Sequence, residues 1–369
     1  MRISLLEKRE DFYEILKITL NKSSFFKRPN NREFTTIFIV NKYLNFIATQ
    51  KINRNVFQNL VNEYSNSIIW WKKMTQKTYV YLAVSSSFRM FFGHKKIELS
   101  INYSEYLILG GNHRLRLFSK DLGFSVLLLK ENERCNYIEN DITIRTNQFL
   151  SYAPIIYERG KDWLKEEYFV GKPLNRLEDT EEIVDFKKKV IKSHLEELLL
   201  STKKSWTNKE YQIFINREID TIVSNKHLQK TAIKKNTIST IFDLLFKELS
   251  TDIIPISWTH GDFQMANVLV KENNFKVIDW ESANKRYYLY DIYTLIGNVR
   301  SNIPLKESIE VFSNKISSFL DVVVTHDMII LLFIEELRFS VNEEYSENFY
   351  VSGLKTKQIC TSIKEYLNE

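Results

Sequence analysis

The spacing of apolar residues changes along the chain, from short continuous or alternating runs in the first half to runs repeating at three and four in the second. TTIFIVNKYLNFIATQ, residues 35–50, holds two β-rich runs around Asn41-Lys42 and predicts a tight hairpin. INRNVFQNLVNEYSNSIIWW then has helical spacing, and KTYVYLAV returns to strand composition. From Glu105, the segments EYLILGG, LRLFSKDL and SVLLLK predict three antiparallel strands ending at Lys130. ENERCNYIENDITIRTNQFL follows as a helix, weakened by Ile142, Thr143 and Ile144. PIIYERG and WLKEEYFVG give two more strands, the second closing at Gly171-Lys172-Pro173.

Long helices take over from about residue 179, with Asp179 or Thr180 as N-cap. EEIVDFKKKVIKSHLEELLL, NKEYQIFINREIDTIVS, TISTIFDLLFKEL, SIEVFSNKISSFL and MIILLFIEELRFSV share this period, with one β-rich interruption at 257–280. Strands first and helices later predict a bilobal α+β chain. The expected division is an α+β segment at 1–100, either an extension or an elaborated lobe, an antiparallel-sheet lobe at 101–172, and a helical lobe at 173–369.

Composition narrows the partners. With 369 residues, 44% of them apolar, the chain can bury a sizeable core. The net charge of +6 comes from 52 basic and 46 acidic residues, well mixed, and the clusters Lys187-Lys188-Lys189 and Lys234-Lys235 are short. No nucleic-acid partner is expected on that basis. Cys135 and Cys360 lie far apart and in no metal-ligand spacing, so neither a disulfide framework nor a zinc site is indicated, and a reducing compartment is expected. MRISLLEKREDFYEIL carries acids inside its apolar pattern, and no stretch reaches the roughly 18 apolar residues of a membrane span. A cytoplasmic protein is expected.

The β-rich interruption concentrates the polar chemistry. NVLV (267–270) and FKVIDW (275–280) read as a small hairpin, with His260, Asp262 and Asn267 before it and Asp279 and Glu281 as it leaves. A hairpin fixes the distance between its ends, so Asn267 and Asp279 can converge with Asp262 from the preceding loop. Three such oxygen donors suit Mg²⁺, which keeps waters and substrate phosphates as its other ligands.

The spacing His260-Gly261-Asp262-(FQMA)-Asn267 resembles the protein-kinase catalytic loop, and Ile278-Asp279-Trp280 the metal-binding triplet that follows it. Glycine in HGD, followed by IDWE, is similar to the aminoglycoside phosphotransferase and choline kinase group, which shares the kinase fold and mainly phosphorylates small molecules. The resemblance spans roughly residues 105–345 and says nothing firm about what precedes them. It implies a protein-kinase-like fold and an ATP- and Mg²⁺-dependent kinase, with GTP not excluded and a small-molecule hydroxyl as acceptor.

Residue by residue, the resemblance implies that Asp262 accepts or orients the acceptor proton and that Asn267 and Asp279 hold Mg²⁺. His260 and Asp291 would brace the loop. On the nucleotide side it implies Gly110 and Gly111 as the phosphate loop and Lys130 as the phosphate lysine. Glu139 is that lysine's helix partner, with Glu133 as rival, and main-chain atoms around Glu167 and Phe169 meet the adenine. GGNHR is not GxGxxG, and a plain hairpin turn is the competing reading. Acceptor pockets of the group lie in the helical lobe, where Glu335 and Glu336 are the notable acidic pair, with Glu281 a further candidate. Carboxylates there would suit a cationic acceptor such as an aminoglycoside; a single pair leans instead toward a sugar or glycan precursor, an aminocyclitol or an amino alcohol. A catalytically silent binding module is the competing class. Arginine, which protein kinases carry in place of Gly261, is missing, and this weighs against a protein substrate.

Overall fold

The computed structural model describes residues 12–25, 36–41, 46–49, 69–84, 95–99, 106–111, 113–118, 123–131, 136–148, 150–177, 181–223, 235–300, 303–344 and 354–368, with single positions at 57, 58, 61, 64, 65, 67 and 88. Asp179, Thr180, Glu133 and Cys135, named above, lie outside them. The chain forms two compact units: residues 1–147, 152–178 and 268–281 make the first, and 148–151, 179–267 and 282–369 the second. An antiparallel sheet dominates the first and helices dominate the second. This is the α+β division expected of a protein-kinase-like fold.

The first unit opens with helix α1 (Phe12–Lys22), strands β1 (Thr36–Asn41) and β2 (Phe46–Thr49), helix α2 (Trp70–Val84) and strand β3 (Lys95–Leu99). Strands β4 (Leu107–Gly110), β5 (Arg114–Phe118) and β6 (Phe124–Leu129), helix α3 (Asn136–Asn147), and strands β7 (Ile156–Arg159), β8 (Trp163–Glu167) and β9 (Lys172–Pro173) follow. Eight strands form one sheet in the order β3-β1-β2-β4-β5-β6-β8-β7. The predicted hairpin is present, since β1 and β2 pair antiparallel with Asn41 opposite Phe46.

Strand alternation sorts the side chains of this sheet onto two faces. Ile108, Leu115, Leu117, Val126 and Leu128 share one face and pack with Leu16 and Leu20 of α1. Leu107, Leu109 and Phe118 share the other and pack with Val80 and Ala83 of α2. Leu127 and Leu164 also lie on that second face, against Ile138 and Ile142 of α3. Each leucine fully buried in this way contributes about 1.5–3 kcal/mol.

KTYVYLAV is helical, contrary to the strand expected from its composition. In α2 the residues that need cover are Val80 and Ala83, three apart, while Tyr81 and Leu82 are exposed. Burial at helical spacing outweighs the weak local preference of Val and Tyr for strands.

The second unit carries helix α4 (Glu181–His194) with a wider π-type turn at Leu195–Leu200, strand β10 (Lys204–Thr207), helices α5 (Asn208–Val223) and α6 (Lys235–Glu248), and strand β11 (Ile253–Thr259). The hairpin β12 (Val268–Lys271) and β13 (Asn274–Val277) belongs to the first unit, where β12 also pairs with β9. Strand β14 (Asn284–Tyr287), helices α7 (Tyr290–Ile296), α8 (Leu305–Lys315), α9 (His326–Glu344) and α10 (Leu354–Asn368) complete the second unit. There β10, β11 and β14 form a three-stranded antiparallel sheet absent from the sequence reading, which took 204–207 and 284–287 for parts of a helical region. No helix among the described residues is long and apolar enough to cross a membrane.

Candidate active site

Strand β11 stops at Thr259, and the chain turns at His260-Gly261-Asp262. Gly261 has φ +83°, and a Cβ there would lie 2.2 Å from the Ser282 carbonyl oxygen and 2.5 Å from an Arg286 nitrogen. Only glycine meets both the backbone conformation and the contact. Asp291, at the start of α7, holds the turn from behind: its Oδ2 accepts the His260 N–H at 2.6 Å and its Oδ1 the Gly261 N–H at 2.9 Å. His194, at the end of α4, meets Asp291 Oδ2 through Nε2 at 2.7 Å and stacks on Phe263. Burial works against the Asp291 charge, yet His194 and the loop N–H groups outweigh it and keep the carboxyl below its usual range. The His260 ring turns inward, and its Nδ1 accepts the Asp262 N–H at 3.3 Å.

Asp262 accepts three side-chain hydrogen bonds and keeps acceptor capacity for one more. Its Oδ1 accepts Arg300 Nε at 2.9 Å, and its Oδ2 accepts Gln264 Nε2 at 2.7 Å and Asn267 Nδ2 at 3.1 Å. Burial alone would raise its pKa, but Arg300, then His260, and the hydrogen bonds hold it below the ordinary carboxylate range. Asn267 donates a second bond to the Asp262 carbonyl at 2.9 Å, and its Oδ1 is an oxygen that neither bond uses. Arg300 also donates to Glu336 at 2.7 Å and to the Tyr290 hydroxyl at 2.9 Å, with its guanidinium 3.7 Å from the Phe339 ring centroid.

Asn267 directly precedes Val268, whose register partner on the hairpin is Val277, and Asp279 follows two residues later. Asp279 stands at φ +71°, a conformation that costs a non-glycine residue on the order of 1–3 kcal/mol and concentrates at functional sites. Its side chain is 44% exposed.

Several expectations change in the first unit. Lys130 is buried and donates to the Gly111 carbonyl, while Glu139 lies exposed on α3. The expected Lys130–Glu139 pair is therefore not formed: the buried acid of α3 is Asp141, and its partners are Arg114 at 2.6 Å and Arg145 at 2.5 Å. Gly110 and Gly111 form a close hairpin turn, with the Gly111 N–H bonded to the Arg114 carbonyl at 2.9 Å. The Glu167 N–H bonds to Ile155 O at 2.8 Å, and its carboxylate meets Lys276 at 3.3 Å. Phe169 packs over Gly171.

The proposed acceptor carboxylates are already compensated. Glu335 accepts Tyr211 Oη at 2.7 Å, the Tyr287 N–H at 2.8 Å and Arg338 at 2.9 Å. Glu336 is taken by Arg300 and Tyr290. Both are buried, and Glu281 pairs with Arg114 at 3.4 Å. Two charges buried in one helix need such cations, which removes their free negative charge from any cationic acceptor.

Residues 224–312 match the family model described as the phosphotransferase enzyme family, APH. That segment is similar to phosphotransferase-family sequence. It contains the whole HGD to Asp291 constellation, so the resemblance read from those residues holds. Among solved structures, the chain is similar to a thermostable mutant of aminoglycoside phosphotransferase APH(4)-Ia in its apo form, with a TM-score of 0.49 and 14% identity over 72% of this chain and 96% of that one. A choline/ethanolamine kinase family protein from Mesorhizobium loti gives a TM-score of 0.44 and 11% identity over 80% and 95%. A ternary complex of a thermostable APH(4)-Ia mutant with ADP and hygromycin B gives 0.45 and 15% over 71% and 94%. No curated protein sequence matches the chain.

Within the matched segment, sequence reasoning missed Arg300, and outside it His194. Each is an isolated basic residue whose partner lies far along the chain: Asp262 is 38 residues from Arg300, and Asp291 is 97 from His194. Burial of so polar a side chain was the signal, and only the structure displays it.

Proposed function

We propose that the chain transfers the γ-phosphate of ATP, with Mg²⁺, to a hydroxyl of a neutral small molecule, with a sugar or glycan precursor as the favoured class. The observation that carries this reading is the Asp262 carboxylate, held ionised and oriented by Arg300, Gln264 and Asn267 at the end of a braced turn. Phosphoryl transfer asks the protein mainly for positioning and charge, and a fixed anion beside the acceptor hydroxyl supplies both. Asp262 orients that hydroxyl by accepting its hydrogen bond. As the acceptor oxygen bonds to the γ-phosphorus and the bond to ADP breaks, the hydroxyl proton passes toward Asp262. A carboxylate held below its ordinary pKa takes the proton late, which suits a loose transition state.

By the resemblance, Asn267 and Asp279 are the oxygen donors for Mg²⁺. An amide oxygen and an exposed carboxylate fit a hard cation that retains waters and phosphates as ligands. Mg²⁺ supplies neutralisation of charge on the β- and γ-phosphates. Compensation of Glu335 and Glu336 by arginine and tyrosine supports a neutral acceptor over a polycationic one.

The test is an ATP-consumption screen over sugars, amino alcohols and aminoglycosides, with mass detection of the phosphorylated product, run on wild type and Asp262→Ala. The substitution should cut acceptor-dependent turnover at least about a hundredfold while leaving the nucleotide-induced thermal shift in place. Near-normal turnover would remove Asp262 from the mechanism, and the absence of any nucleotide shift in wild type would point to a silent binding module.

A further inference from the structure

Sheet parity separates two basic residues that lie close together at one end of the first unit. Val126 and Leu128 of β6 face α1, and the ladder runs one residue past the strand, because the Lys130 N–H bonds to His113 O at 3.0 Å. Lys130 therefore continues the parity of Val126 and Leu128, toward α1 and away from α3. The next residue agrees: the Glu131 N–H bonds to Thr19 of α1 at 2.9 Å, and its carboxylate takes Lys22. On β6 the position that shares the α3 face near the strand end is Leu129, which is apolar. Its register partner across the ladder is Arg114.

Arg114 does on β5 what a lysine at position 129 would do on β6. Its side chain is 3% exposed, and it meets three carboxylates from different parts of the unit: Asp141 of α3 through Nη1 at 2.6 Å, Asp279 through Nη2 at 3.3 Å, and Glu281 through Nε at 3.4 Å. The planar fork of a guanidinium can serve several carboxylates at once, where an ammonium is a single point charge. Asp141 is fixed in turn by Arg145, which also donates to Glu166 Oε2 of β8 at 2.8 Å, and Arg116 closes the row on Glu166 at 3.6 Å. Four of these groups, Arg114, Asp141, Arg145 and Glu166, are almost wholly buried. A buried charge stripped of one partner is expensive, so loss of any one member unsettles its neighbours in the row.

We propose that Arg114 is the positioning residue for the metal-site aspartate, with Asp141 as its anchor on α3, in the place that the family pattern gives to a lysine of the next strand and a helix glutamate. The proposal rests on the phosphotransferase reading above and adds a cation from β5 to it. Arg114 acts through Asp279: it holds that carboxylate in its left-handed backbone setting and sets its direction for Mg²⁺. Lys130 fixes the glycine turn through the Gly111 carbonyl instead.

Binding of a fluorescent ATP analogue, titrated with Mg²⁺, tests this without needing an acceptor. Arg114→Met and Asp141→Asn should each raise the Mg²⁺ concentration for half-maximal nucleotide binding about tenfold or more, the scale of losing an outer-shell partner at a metal site. Arg114→Lys keeps the charge and folds even where Arg114→Met does not; it should restore part of the nucleotide affinity and still show a raised Mg²⁺ requirement. Where an acceptor is in hand, kcat should fall with the acceptor KM little changed, a split that general loosening of the fold would not give. A folded Arg114→Lys with a wild-type Mg²⁺ requirement overturns the proposal alone. Wild type that binds no nucleotide with or without Mg²⁺ overturns the phosphotransferase reading and this proposal with it.

Discussion

Arg300 shows how one side chain sets the character of the candidate catalytic residue. It neutralises Asp262 and Glu336 together and is itself stacked on Phe339. Because Asp262 has a lowered pKa when folded, its contribution to stability is present above the unfolded value near 3.9 and is lost only as pH falls through the lower folded value. In Arg300→Met the opposing effect of burial prevails, so the acid limb of a pH profile of kcat/KM should move to higher pH. Urea unfolding should show a loss of about 3–5 kcal/mol, since Asp262 loses its arginine and Glu336 keeps only Lys355, at 3.6 Å, as a cation. An unmoved acid limb would mean that Arg300 does not govern the Asp262 charge. At this scale the sequence was legible where the chemistry is contiguous. His260, Gly261, Asp262, Asn267 and Asp279 lie within twenty residues, and their spacing alone carries the pattern. Arg114 and Arg300 owe their importance to burial beside distant acids, which no local spacing encodes. Glu335 and Glu336 were visible as an acidic pair, but of the groups that consume them only Arg338 shares their helix, while Arg300, Tyr290 and Tyr211 come from elsewhere in the chain.

Among the elements, α2 gives the sharpest contrast between pattern and fold. TYVYLAV has the residues of a strand, and a strand would bury positions 80 and 82 together. A helix buries 80 with 83, as observed for Val80 and Ala83. Val80→Ala should therefore cost about 1–3 kcal/mol in chemical denaturation, and Leu82→Ala should stay within about 0.5 kcal/mol. Equal losses at the two positions would favour a strand. Strands β4 to β6 were legible as short apolar or alternating runs, and β7 and β8 as short runs closed by Gly160 and Gly171. The pair β10 and β14 was not: KSWT and NKRY hold few apolar residues, and their pairing with β11 comes from residues about fifty and thirty positions away. Helix α3 was recognised despite Ile142 and Ile144, whose burial compensates their modest helix preference.

For the whole molecule, the change from strands to helices along the chain was enough to anticipate two units of different character. Composition could not tell that β1–β3 extend the same sheet as β4–β8, since strand order is set by pairings between segments far apart in sequence. That arrangement has a practical consequence for anyone trimming the chain to its phosphotransferase-like portion. Phe46 and Ile47 pair with Leu109 and Ile108, so the backbone of β4 is bonded on both sides. A fragment starting at residue 101 would present β4 as an open edge and uncover Leu107 and Leu109 from Val80 and Ala83. Unpaired, apolar edges recruit further strands. Size-exclusion chromatography of that fragment should show concentration-dependent association where the full chain shows less, and a monomeric fragment would mean the edge tolerates exposure. Association of the fragment would make β2 and α2 a guard against self-templating, so that discarding them as an accessory trades a shorter chain for an aggregating one.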